Sequence, residues 1–174
     1  TLNNINKIIA FKSQKEKKRV KKVYKKLSKK LFFTQSIMEA ETAKVIENIQ
    51  RDINIGLFNE IFIFSNKFNL SFKNIIQLAS TKWNFLKFKP GLVGGHCLPV
   101  DPYYFSYAAK KKKIDTKITL AGREINNYME IYTYKIIKKK ILLKNKNSKV
   151  LFLGGTYKAN VADKRNSLSL AIYN

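Results

Sequence analysis

Glu39-Ala40-Glu41-Thr42-Ala43-Lys44-Val45-Ile46-Glu47-Asn48-Ile49-Gln50-Arg51-Asp52-Ile53-Asn54-Ile55-Gly56-Leu57-Phe58-Asn59-Glu60-Ile61-Phe62-Ile63-Phe64-Ser65-Asn66-Lys67 is the longest helical signal in this chain. It holds no proline, and Gly56 is its one weak point. Apolar residues recur at Ala43, Ile46, Ile49, Ile53, Leu57, Ile61 and Phe64, three or four apart. That spacing gives one continuous apolar stripe. A helix of this length reaches about 40 Å at 1.5 Å per residue. It outreaches a small core, so a partner helix from a second copy of the chain is expected. The centre of the fold is therefore mainly α.

Working outward toward the N-terminus, Ile5 to Ala10 reads as a short strand. Ser13 to Lys29 reads as an amphipathic helix, with Val20, Val23, Tyr24 and Leu27 apolar among lysines. Leu31-Phe32-Phe33 reads as a second strand. Together they form the strand–helix–strand end of an α/β unit. Toward the C-terminus, Ser71 caps a short helix reaching Ala79. Tyr103 to Lys113 is expected to be helical, and Ile118 to Leu143 forms one or two further helices. The run Lys138-Lys139-Lys140 reads as a solvated face. Asn145 to Ser148 is a turn. Lys149 to Gly155 reads as an apolar strand ending in glycines, as a parallel α/β unit starts. Ser167 could cap a last helix running into Asn174.

Between the helices lies Pro90-Gly91-Leu92-Val93-Gly94-Gly95-His96-Cys97-Leu98-Pro99-Val100-Asp101-Pro102-Tyr103-Tyr104. All 3 prolines, the 1 cysteine and the 1 histidine of the chain are in it, and Trp83 stands just before it. Glycine allows positive φ and close backbone approach. Pro99 and Pro102 restrain the residues around them. Cys97 is thereby held on a stiff loop, four residues before the carboxylate of Asp101. The alternative is a small buried hydrophobe, the usual fate of a lone cysteine.

Hydrophobic residues make up 45% of the 174, enough for a real core. The formal charge of +24 would ordinarily suggest nucleic acid. Here the 35 basic residues are almost all lysine, spread along the whole chain. Arginine, which suits phosphate forks and base edges, is scarce. Nucleic acid is therefore not an expected partner. One cysteine excludes an internal disulfide and suits a reducing compartment. No apolar run is long enough to span a bilayer. Thr1-Leu2-Asn3-Asn4 shows no signal-peptide pattern, so a cytoplasmic location and no membrane association are expected. One histidine and one cysteine make no credible metal site.

Three segments together carry a resemblance. They are Glu41 to Asn48, the loop from Gly94 to Tyr104, and Val150 to Gly154 followed by Lys158 and Asp163-Lys164-Arg165-Asn166. In order and spacing they resemble the UDP-glucose/GDP-mannose dehydrogenase family. Trp83-Asn84-Phe85 and Gly94-Gly95-His96-Cys97 resemble its branch acting on UDP-N-acetylhexosamines. The resemblance implies a central helical dimerisation domain over 34–146, flanked by incomplete α/β Rossmann-like pieces. Residues 1–33 would be the end of an NAD-binding domain, and 147–174 the start of a UDP-binding domain. The chain then reads as a middle piece, without the Gly-x-Gly-x-x-Gly cofactor loop. It is expected to be inactive alone.

The reaction that the resemblance implies is a four-electron oxidation. The C6 alcohol of a UDP-sugar gives up two hydrides to NAD and ends as a carboxylate, serving surface polysaccharide synthesis. Cys97 matches the nucleophile, because a thiolate both attacks carbonyls and leaves again. Lys44 and Asn48, four apart and so on one helix face, match the cation and hydrogen-bond donor near the oxyanion. By periodicity alone, Lys44 is one more surface lysine. Asp101 matches a carboxylate that positions or activates water. Its other reading is a turn residue before Pro102. Phe88, Gly91 and Gly94 lie in the loop that encloses the nucleotide sugar, Lys158 resembles a substrate contact, and Arg165 resembles the arginine that reaches NAD. Ala159, Val161 and Lys164 depart from the family pattern around them. His96 reads as loop packing rather than a base. A homodimer through the central helices is expected. The rival readings are a decayed remnant that keeps only helical dimerisation, and a basic nucleic-acid-binding module.

Overall fold

The computed structural model describes residues 4–142, 147–157 and 159–173, apart from the side chain of Leu142. The chain divides into two compact units, Thr1–Glu47 and Asn48–Asn174. The fold is mainly α, with one short α/β element.

In the first unit, β1 (Lys7–Ala10) and β2 (Leu31–Thr34) pair in parallel, in the register Lys7 to Leu31 and Ala10 to Thr34. Parallel strands need a crossover, and α1 (Gln14–Tyr24) supplies it. Ser13 and Glu16 start α1 as a capping box: the Glu16 N–H donates to Ser13 Oγ at 3.2 Å, and the Ser13 N–H donates to Glu16 Oε2 at 3.3 Å. The helix stops five residues short of Lys29. Leu27 and Ser28 N–H groups fold back onto the Tyr24 carbonyl, and buried Ser28 ties the turn to Ile5 O at 2.7 Å. That turn returns the chain into β2.

The second unit is helical. It holds the rest of α2 (Ile37–Lys67), then α3 (Phe72–Ala79), α4 (Asp101–Lys110), α5 (Lys117–Ile137) and α6 (Leu168–Tyr173). A π turn, Lys138–Leu142, follows α5. Helices α2 and α5 cross backbone to backbone at Gly56 and Gly122. Gly56 is thus a point of close backbone approach. Phe58, 2% exposed, anchors the core, with the rings of Phe72, Phe85 and Phe88 around it. Ser71 caps α3 by accepting from the Asn74 N–H.

Three expectations are corrected. The buried side of α2 shares only Ile49 with the apolar stripe: it is Asn48, Ile49, Asp52, Gly56, Phe58, Asn59 and Ser65. Of the stripe, Ile46, Leu57 and Phe64 stand half exposed. The polar groups can go inside because each finds partners there. Helix α4 starts at Asp101, two residues early, because Pro102 is tolerated in a first turn. Residues 149–155 form no strand: a strand needs a ladder, and none of the described residues pairs with them. Among the described residues no helix is long and apolar enough to cross a membrane. The turn expected at Asn145 to Ser148 falls partly outside the described residues.

Candidate active site

The segment from α3 to α4 is irregular from Phe85 to Val100. Its last residues close a turn on Cys97, whose carbonyl accepts from the Val100 N–H at 3.1 Å and the Asp101 N–H at 2.8 Å. The Cys97 thiol is free and exposed. Exposure removes the small-hydrophobe reading of this residue.

Asp101 is held at both ends. Its backbone joins the Cys97 turn, and its Oδ2 accepts from Asn48 Nδ2 at 2.6 Å. Asn48 is 2% exposed and sits on the buried face of α2. An acid in the first turn of a helix is favoured by the helix dipole. The structure therefore brings Asn48, Asp101 and the Cys97 backbone together. Lys44 stands one turn before Asn48 on α2, within the first unit, where its Nζ pairs with Glu47 at 2.7 Å.

The irregular segment is pinned to α2. Asn59 bonds both backbone groups of Gly91: its Oδ1 accepts from the Gly91 N–H at 2.7 Å, and its Nδ2 donates to Gly91 O at 3.0 Å. Phe88 packs on Phe58, ring centres 5.9 Å apart. Gly94 passes so close to Asn166 that a β-carbon would stand 2.5 Å from its carbonyl oxygen. Lys158 lies outside the described residues.

The C-terminal segment clasps the glycines. Asn166 O accepts from the Gly95 N–H and Asn166 Nδ2 donates to Gly95 O, both at 3.3 Å. His96 Nε2 lies 2.8 Å from Asp163 Oδ2, with the Tyr157 ring edge-on. Arg165 donates to the same carboxylate through Nε at 3.0 Å and Nη2 at 2.8 Å. Those bonds, and the one from His96, hold the Asp163 carboxyl well below the usual carboxylate range. Arg165 is 76% exposed at its side chain, so its guanidinium has room for a second, anionic partner. Ser167 precedes α6 but does not cap it; its hydroxyl is buried and unbonded among the described residues.

Four site-supporting residues escape a reading of the sequence by apolar period. Asp52, Asn59, Arg123 and Asn126 are all 1% exposed or less. Arg123 Nη1 donates to Asp52 Oδ1, and Asn126 Nδ2 donates to Asp52 O and Oδ1, each at 2.8 Å. Burial pushes the Asp52 carboxyl up, against Arg123 and Asn126, which pull it down. Their signal was the spacing of Asn48, Asp52 and Asn59, which share the Gly56 face of α2.

Comparisons with known proteins bear on the family of the chain. The family model described as "UDP-glucose/GDP-mannose dehydrogenase family, central domain" matches residues 38–128. The UDP-N-acetyl-D-glucosamine 6-dehydrogenase of Salmonella typhi is 42% identical over 170 residues, which are 95% of this chain and 40% of that protein. The enzyme of the same name from Pseudomonas aeruginosa is 44% identical over 135 residues, 76% of this chain and 32% of its own. Among solved structures, the UDP-N-acetyl-mannosamine dehydrogenase Cap5O from Staphylococcus aureus superposes with a TM-score of 0.82 at 34% identity, over 99% of this chain and 40% of that one. The chain thus spans 40% or less of the length of these relatives.

Proposed function

The chain belongs to the UDP-glucose/GDP-mannose dehydrogenase family, and we propose that it forms the thiol-bearing centre of an NAD-dependent UDP-N-acetylhexosamine 6-dehydrogenase in surface polysaccharide synthesis. The observation that carries this reading is the exposed Cys97 thiol on a turn whose carbonyl is held by Asp101, itself bonded to buried Asn48.

The Cys97 sulfur adds to the C6 aldehyde carbon, and the aldehyde oxygen becomes the thiohemiacetal hydroxyl. Loss of a hydride from C6 and a proton from that hydroxyl gives a thioester. Water then adds to the thioester carbon and the Cys97 thiolate leaves, releasing the uronate. Asp101 accepts the proton of the attacking water. Asn48, with Lys44 one turn before it, steadies the oxyanion. NAD, when bound, supplies the hydride acceptor for both oxidations. The described residues offer it Arg165, an exposed guanidinium oriented by Asp163 and suited to a diphosphate.

Phe88, Gly91 and Gly94 line the nucleotide-sugar side of the loop in this reading, and Lys158 is the substrate contact that the resemblance implies. Both polar groups of the Gly91 backbone are taken by Asn59, so Gly91 contributes shape rather than hydrogen bonds. The partner is a second copy of the chain, docked through α2, in the cytoplasm.

The test uses Cys97 as its own probe. A C6-aldehyde of UDP-N-acetylglucosamine or UDP-N-acetylgalactosamine should protect the thiol from iodoacetamide, where UDP alone or acetaldehyde at the same concentration does not. Equal alkylation in all four mixtures sinks the reading. With the NAD-binding domain supplied, NADH formation should vanish in Cys97→Ser.

A further inference from the structure

We propose that the buried chain Asn59–Asn126–Asp52–Arg123 is a positioning device that ties the substrate loop to the Cys97 turn, with Arg123 as its positioning residue for the nucleophile. The inference rests on the reading of Cys97 as nucleophile for its purpose, but not for its geometry.

The hydrogen bonds run without a gap. Gly91 is bonded through both backbone groups to Asn59. Asn59 Nδ2 donates to Asn126 Oδ1 at 2.8 Å. Asn126 donates to Asp52, and Asp52 accepts from Arg123. Arg123 Nη1 also reaches the Leu98 carbonyl at 3.4 Å. The chain therefore leaves the loop six residues before Cys97 and re-enters it one residue after. A side branch goes from Arg123 through Asn127 Oδ1, at 3.0 Å from Nη2, to the Tyr103 hydroxyl on α4, 3.2 Å from Asn127 Nδ2.

An apolar interface between α2 and α5 would be at least as stable, since a buried ion pair seldom exceeds its desolvation cost. It would not fix direction. Hydrogen bonds do, and a buried network rigidifies the arrangement that satisfies it; here Asp52 Oδ2 alone of the network is without a hydrogen-bond partner among the described residues. Reacting atoms need that: a misplacement of about 1 Å costs about a hundredfold in rate. The network faces the irregular segment that carries the thiol, where regular structure gives no positioning of its own.

Hydrogen exchange on the protein reads this directly, because the Val100 and Asp101 amides bond to the Cys97 carbonyl. Arg123→Lys keeps a cation beside Asp52 and loses the fork to Leu98 and Asn127. Its Val100 and Asp101 amides should exchange at least about tenfold faster, with the middle of α2 and α5 within about twofold of the parent. Asn59→Ser should do the same at Gly91 and, through the chain, at Val100 and Asp101; it carries the test if Arg123→Lys does not fold. Unchanged exchange at Val100 and Asp101, or equal loss over loop and helices alike, overturns the proposal. With the NAD-binding domain supplied, Arg123→Lys should lower kcat at least about tenfold and leave KM within about twofold. Loosened amides in a parent whose Cys97 no UDP-sugar aldehyde protects from iodoacetamide would reject the dehydrogenase reading and leave the positioning device standing.

Discussion

Gly56 and Gly122 meet backbone to backbone: a β-carbon on Gly56 would stand 2.9 Å from the Gly122 carbonyl oxygen, and one on Gly122 would stand 3.1 Å from Ile53 Cα. Helix propensity favours alanine over glycine by about 1 kcal/mol. Overpacking a close crossing costs about 1–3 kcal/mol. At Gly56 the obstacle is backbone, which cannot rotate away, so sterics win. Gly56→Ala should lower unfolding free energy by about 1–2 kcal/mol in urea titrations. Gly122→Ala should cost less, since part of what it meets is the Ile53 side chain. A stabilised Gly56→Ala protein would show that the crossing is looser than this.

Arg123 is the one guanidinium beside the buried Asp52 carboxylate among the described residues. Removing one partner of a buried pair costs about 3–5 kcal/mol. Arg123→Met should lose about that much. Arg123 is also the largest influence lowering the Asp52 pKa against burial. Without it the carboxyl rises further. An acid raised in the folded state binds its proton more tightly there than in the unfolded chain. Stability then falls as pH rises through that window. The Arg123→Met deficit should therefore be smaller at about pH 5 than at about pH 8. Adding Asp52→Asn should recover part of the loss at the higher pH. A deficit equal at both pH values would rule out ionised Asp52 as its source.

These two sites mark what the sequence shows and what it hides. The βαβ start, the long α2 and the Ser71 cap are legible because alternation, period and capping are local rules. Cys97 and Asp101 are legible as candidates because rare residue types concentrate around them. The inner face of α2 is not legible, because a period read from apolar residues places Asn48, Asp52 and Asn59 in solvent. Only distant partners make burial affordable: Asp101 on α4 for Asn48, and Arg123 and Asn126 on α5 for Asp52 and Asn59. The strand expected over 149–155 fails for the opposite reason: its local pattern is strong, but a ladder is not a local property. Gly56 looks like a weakness until Gly122 is placed against it.

The Asp163 clasp predicts an acid limb. Hydrogen bonds from Arg165 first, and His96 second, depress this carboxyl in the folded chain. A depressed acid stabilises the fold above its unfolded pKa, about 3.9, and that contribution fades as pH drops below it. Asp163→Asn should flatten stability between about pH 4 and pH 2, with little change in slope between about pH 6 and pH 8. The carboxylate is only partly buried, so added salt should shrink the difference. An acid limb identical in the variant and the parent would place the clasp elsewhere.

Helix α2 makes the last prediction. Leu57 and Phe64 are each 51% exposed, and Phe68, stacked on Phe64 at 4.4 Å between ring centres, is 64% exposed. Leu57 and Phe64 are seven residues apart, so they share one face. Burying each such side chain contributes about 1.5–3 kcal/mol, enough for a few of them to offset the entropy of association when counted from two copies. In the proposed dimer a second copy would supply the same face in return, as a two-fold interface requires. Sedimentation equilibrium should find a dimer. Leu57→Glu and Phe64→Glu should each weaken it at least about tenfold, because a carboxylate enters the seam twice. Their helical circular dichroism should match the parent, since neither side chain is buried within one copy. A parent protein that sediments as a monomer at tens of micromolar, or glutamate variants that dimerise as tightly as the parent, would remove α2 as the docking surface.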